Sequence, residues 1–298
     1  MKMSWFVLTN ILATVLLMAP STAQAQEVKV NAVATFSILG DIVRQVGGTQ
    51  VNLTVLVGPD GDAHTFEPTP QDSIRLSQAA VIFENGFYFE HWLNGLYASS
   101  ASKARRVVVT DTIKPIALAT KDIDPHAWQD VSNVMLMTKQ VRDGLIAVDP
   151  ANAATYRANA DAYLAQLNEL EEWIMNIFKD IPADKRRLVT SHDALGYFAH
   201  HYGLTIIGTA IPSATTEADE PSARETAKLL DVIRSSGVKV VFAENTHNAK
   251  LIETLSKEAG VILAPALYTD ALGKPGSDGD TYIKMMQHNV KIFAEYLK

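Results

Sequence analysis

From Val28 onward, short β-branched runs alternate with segments whose apolar residues recur every three or four positions. "VKVNAVATF", "VNLTVLV", "AVIFENG" and "RRVVVTDT" read as strands. "SILGDIVRQVGG" reads as a helix, as does "TPQDSIRLSQA", opened by Thr69 and Pro70. After Pro182 the alternation resumes with "RRLVTSHDALGYFAHHYGL", "TIIGTAI", a helix over Pro221–Ser236, "VKVVFAEN", a helix from Asn248, "VILAPAL" and a last helix from about Asp280. Strands alternating with helices imply βαβ units, so each half predicts an α/β lobe with a mostly parallel sheet flanked by helices.

Between the halves, residues 151–179 contain neither Gly nor Pro. Tyr156, Ala160, Tyr163, Leu164, Leu167, Leu170, Ile174 and Ile177 fall mostly three or four apart, which is one face of a long helix. One rigid backbone helix joining two lobes is a strut rather than a hinge. The expected organisation is an N-terminal lobe over 26–150, the linking helix over 151–180 and a C-terminal lobe over 181–298.

The opening 25 residues carry Lys2, an apolar run too short to span a membrane, and a closing Ala23-Gln24-Ala25. This is the layout of a secretory signal peptide with its cleavage site. Lys2 is the only charge before Gln26, so the net charge of −7 becomes −8 after cleavage. An acidic chain without basic runs is a poor partner for nucleic acid. There is no cysteine, which excludes disulfides and thiolate metal sites and leaves no residue for a lipid anchor. A soluble monomer in the periplasm is the expectation.

Among eight histidines, three share one kind of environment. His64 follows a strand in "GPDGDAHTFEPTPQD", a run too rich in Gly, Pro and Asp for anything but a loop. His126 precedes a helix in "DIDPHAWQD", and His192 follows a strand in "VTSHDALGYF". Ligands of open α/β sheets bind beyond the carboxyl ends of strands, so these loops can converge on one cleft. Neutral imidazoles with one carboxylate suit a divalent transition metal. Asp280, in the Gly-rich "LGKPGSDGDT", is the candidate carboxylate. It can equally serve as a helix N-cap, and Asp278 competes for either role. His91, His200, His201 and His288 read as surface or helix-end residues, and His247 as rim of the cleft. A secreted zinc hydrolase is the competing reading, with Glu67 or Glu244 as base should Asp280 not ligate. No H-E-x-x-H, G-x-S-x-G or P-loop signature occurs in the chain.

"GDAHTFEPTPQD", "DPHAWQD", "SHDALGYFAHHYGL", "FAEN" and "GDTYIKMMQHNV", in this order, resemble the cluster A-I substrate-binding proteins of metal ABC transporters, the TroA-like or ZnuA-like zinc and manganese family. The resemblance covers essentially the whole chain after the leader. It implies two α/β lobes on one backbone helix, no enzymatic activity, and metal delivery to a membrane permease driven by a cytoplasmic ATPase. It implies metal ligation by His64, His126, His192 and Asp280, with Phe66 and Pro68 packed behind His64. Manganese carriers of the family usually have Glu where this chain has His192, so the resemblance implies Zn²⁺ ahead of Mn²⁺. The His-rich loop of many zinc carriers is absent from "IKPIALATKDIDPH".

Overall fold

The computed structural model describes residue 1 and residues 29–118, 122–211, 221–246 and 249–298. The expected signal peptide and His247 lie outside these residues. The N-terminal lobe holds β1 (Val30–Phe36), α1 (Ser37–Gly47), β2 (Val51–Val57), α2 (Pro70–Ser77), β3 (Val81–Glu84), α3 (Leu93–Ser99), β4 (Arg105–Val108) and α4 (Val131–Val148). Its four strands form a parallel sheet in the order β2-β1-β3-β4. β1 and β3 are buried almost throughout, as apolar strands covered on both faces should be.

The connection is α5 (Ala153–Lys179), preceded by a 3-10 turn over Pro150–Asn152. The helix therefore starts two residues later than its sequence suggests, because Pro150 opens a tighter turn. Its buried face is Tyr156, Ala160, Tyr163, Leu167, Leu170, Ile174 and Phe178, while Leu164 and Ile177 are partly buried against the same core.

The C-terminal lobe contains β5 (Arg187–Thr190), α6 (Gly196–Tyr202), β6 (Thr205–Thr209), α7 (Ala223–Ser236), β7 (Val240–Glu244), α8 (Lys250–Ala259), β8 (Ile262–Leu267) and α9 (Tyr282–Tyr296). β5 pairs with β6 and β7 with β8, both in parallel. α9 returns across the molecule to pack on α5 and α1. One hydrophobic core joins Ile38 and Phe83 of the first lobe through Leu167 and Ile174 of α5 to Phe242 and Phe293 of the second. Among the described residues no helix is long and apolar enough to cross a membrane.

Hydrogen bonds stitch the lobes together. Asp60 N donates to Leu272 O at 2.9 Å and Leu272 N to Ser37 Oγ at 2.9 Å. Tyr282 N, the first amide of α9, donates to Asp41 Oδ2 of α1 at 2.9 Å, so a carboxylate of one lobe satisfies a helix terminus of the other.

Candidate metal centre

His64 stands in the loop after β2 and His126 at the start of a 3-10 turn over Ala127–Gln129 leading into α4. His192 lies two residues beyond β5 and Asp270 three beyond β8. Each is positioned by a rigid neighbour. Trp92 Nε1 donates to Ala63 O at 2.8 Å, and the Phe89 ring meets His64 edge-on with centroids 4.7 Å apart. Phe66 packs on Trp92, at 4.7 Å between centroids, and so supports His64 at one remove; Pro68 is exposed and does not. Asn85 Nδ2 donates to Pro125 O at 2.9 Å, fixing the chain just before His126.

The four side chains converge, with one ligand atom of each within 4.8 Å of all the others. His64 Nε2 lies 3.3 Å from His126 Nε2 and 3.5 Å from Asp270 Oδ2. His126 Nε2 is 3.5 Å from Asp270 Oδ1, and His192 Nε2 is 3.1 Å from Asp270 Oδ2. Four ligands at about 2.1 Å around one ion stand roughly 3.4 Å apart along a tetrahedral edge, and the separations above, 3.1 to 3.5 Å through one or the other Asp270 oxygen, lie near that value. His64 is 2 % exposed and the other three 0 %.

The donor chemistry fits a cation. Both oxygens of Asp270 are fully buried, and they face the imidazole nitrogens of His64, His126 and His192. Such a carboxylate is costly unless something positive occupies the space it faces. Burial alone would raise the Asp270 carboxyl, but the facing imidazoles of His192 and His126 hold it well below the usual carboxylate range. Burial lowers His64, with Asp270 opposing the effect, and this favours the neutral ring that ligates. Burial would lower His192 too, but the charges of Glu244 and Asp270 hold it well above the usual imidazole range.

Two histidines are gripped by carboxylates at both their backbone and ring nitrogens. His126 N and Nδ1 lie 2.9 and 2.7 Å from Asp124 Oδ1. His192 N donates to Glu244 Oε1 at 2.9 Å, and its Nδ1 lies 2.5 Å from Glu244 Oε2. Both rings thereby present Nε2 to the centre, an arrangement common behind metal-ligating histidines.

The expected fourth residue is corrected. Asp280 is partly exposed beside the N-terminus of α9, accepting from Gly276 N and pairing with Lys284 Nζ, both at 2.8 Å, and lies apart from the cluster. Thr281, not Asp280 or Asp278, caps that helix. Asp270 takes the place in the cluster. The strand-end rule that singled out His64 and His192 points to Asp270 equally, since it follows "VILAPAL" almost at once. Glu67 is exposed, and Glu244 is committed to His192. His91 and His200 are exposed; His201 pairs with Glu171 at 2.6 Å and His288 reaches Ala266 O at 3.0 Å, all apart from the cluster.

Two α/β lobes on a helical spine, with a buried cluster of three histidines and an aspartate that could hold a metal ion, have the plan of a two-lobe substrate-binding protein. Residues 32–296 match the family described as zinc-uptake complex component A, periplasmic, and the chain belongs to that family. It is 38 % identical, over 89 % of its length and 87 % of the relative's, to the manganese-binding lipoprotein MntA of Halalkalibacterium halodurans. It is 31 % identical, over 93 % of its length and 92 % of the relative's, to the manganese ABC transporter substrate-binding lipoprotein PsaA of Streptococcus pneumoniae. Among solved structures it resembles the periplasmic zinc-binding protein TroA of Treponema pallidum, with a TM-score of 0.84, 27 % identity and coverage of 89 % of this chain and 98 % of that one. The chain is thus a substrate-binding component of a metal ABC transporter and not an enzyme, so the hydrolase reading falls. The lipoprotein names of its relatives stand against the expectation of a soluble protein.

Proposed function

We propose that this protein captures Zn²⁺ outside the cytoplasmic membrane with His64, His126, His192 and Asp270 and hands it to a permease driven by an ATPase. The observation that carries the reading is three imidazole Nε2 atoms and one buried carboxylate turned toward one another within 4.8 Å. Three nitrogen donors and one oxygen suit a borderline ion in tetrahedral geometry. The lack of cysteine in the sequence supports a soluble periplasmic carrier, and a monomer is proposed as its working form.

A second reading, Mn²⁺, draws on the names of the relatives and on one feature of the site. Both Asp270 oxygens face imidazole nitrogens, Oδ1 toward His126 and Oδ2 toward His64 and His192. Binding through one oxygen gives four-coordination, whereas binding through two gives five and a more oxygen-rich shell, which suits manganese. Metal analysis of untagged protein by mass spectrometry, followed by zinc–manganese competition, separates the two. One equivalent of zinc is expected; one of manganese carries the second reading, and no bound metal contradicts both.

A further inference from the structure

Glu244, at the end of β7, takes hydrogen bonds from both ligand loops of the C-terminal lobe. Oε1 accepts from His192 N at 2.9 Å; Oε2 faces His192 Nδ1 at 2.5 Å and accepts from Thr269 Oγ1 at 2.9 Å. Thr269 directly precedes Asp270. Its carbonyl, in turn, accepts from Trp128 Nε1 at 2.8 Å and Gln129 Nε2 at 2.7 Å, in the turn that follows His126. One buried carboxylate is therefore connected to His192, to Asp270 and, through Thr269, to the His126 turn.

We infer that Glu244 is the positioning residue that sets the metal site's affinity and selectivity, by fixing which nitrogen of His192 carries the proton and how far His192 stands from Asp270. The inference rests on the metal-carrier reading above. With a cation on Nε2, the single proton of the neutral ring must sit on Nδ1, where only an acceptor is tolerated. Glu244 supplies that acceptor. Because the same oxygen holds Thr269, movement of either loop strains the bond to the other. The 3.1 Å separation of His192 Nε2 and Asp270 Oδ2 is thereby held at the short edge that a compact four-ligand shell needs. A looser edge admits a larger, more oxygen-rich shell, so Glu244 favours zinc over manganese.

Glu244→Gln keeps the shape and removes the acceptor symmetry. If the amide NH₂ faces Nδ1, it drives the ring proton onto Nε2, the ligating atom; if it faces His192 N, two donors collide. Zinc affinity is expected to fall about 10- to 100-fold, manganese affinity by less, and the intense visible bands of the Co²⁺-substituted protein should weaken or shift. Thr269→Val leaves the Glu244–His192 grip but cuts the tie to Asp270, and should lower the zinc-to-manganese preference with a smaller loss of affinity. Glu67→Gln removes the same charge from an exposed position in the His64 loop and should change neither. Metal-free Glu244→Gln is checked by its thermal unfolding. If it does not fold, the Thr269→Val selectivity ratio decides alone. Wild-type cobalt spectra and an unchanged zinc-to-manganese ratio in the variants overturn the inference. Failure of the wild-type protein to bind any of the three metals overturns the carrier reading instead.

Discussion

At the scale of single residues, the site is a set of buried groups whose charges compensate one another. In the metal-free protein His192 is held well above the usual imidazole range, by Glu244 and Asp270 against the effect of burial. This favours the protonated ring, paired with Asp270. A metal on Nε2 requires that proton to leave. The sign follows: the metal-free form binds more protons than the loaded form, so affinity rises with pH through neutrality. His64, lowered by burial, adds nothing to this release near pH 7. Calorimetry at pH 7 in two buffers of different ionisation heat should show release of roughly one proton per metal. Affinity independent of pH, with no proton released, would contradict the charge pattern.

The residues also show what sequence reasoning could and could not reach. His64, His126 and His192 were legible because Gly, Pro and Asp break the chain around them at the strand ends. Asp270 follows "VILAPAL" almost as closely as His192 follows its strand, but the Gly-rich stretch ten residues on offers Asp280 as a rival carboxylate, and only the packing separates the two. That stretch has a packing reason for its glycines. A Cβ at Gly273 or Gly279 would come within 2.7 or 2.4 Å of the Tyr268 ring, so these glycines permit close approach beside the site rather than marking a ligand.

At the scale of elements, strands and long helices follow from periodicity, and the loops follow from a few buried polar groups. The turn from β3 toward α3 is built on Glu90, which accepts from Thr35 Oγ1 at 2.6 Å, Asn85 N at 2.7 Å and Gly86 N at 3.2 Å. This turn carries Phe89 against His64 and Asn85 against the His126 loop, so a carboxylate outside the site shapes two ligand loops. No periodicity announces such a role. Burial pushes Glu90 up from 4.5 to about 7, despite the hydrogen bonds from Thr35 and Asn85. With the folded value above the unfolded one, its contribution to stability is fully present below pH 4.5 and is lost as pH rises through about 7. The loss is on the order of 3 kcal/mol at most. Denaturant midpoints of metal-free protein should fall from pH 5 to pH 8, and Glu90→Gln should flatten that fall. An equally steep fall in the variant would remove Glu90 from the account.

At the level of the whole molecule, a shared core and buried hydrogen bonds join the two lobes. The core runs unbroken through α5, and Trp128, Gln129 and Tyr282 cross from lobe to lobe, with Tyr282 Oη donating to Trp128 O at 2.8 Å. Hinge closure would break these buried bonds, each worth about 1 kcal/mol, and open core contacts besides. Metal capture is therefore expected to move ligand loops while the lobes keep their angle. Solution scattering with and without metal should give the same radius of gyration; a clear contraction on loading would refute the rigid spine.

Asp270, and not Asp280, stands with His64, His126 and His192 in the buried cluster. The most direct test of its role as a ligand is titration of chelator-stripped wild type, Asp270→Ala and Asp280→Ala with Zn²⁺. Wild type and Asp280→Ala should each bind one equivalent at matching affinity, and Asp270→Ala should bind at least about 100-fold more weakly through loss of a ligand. Full-affinity binding by Asp270→Ala, with loss in Asp280→Ala, would contradict it.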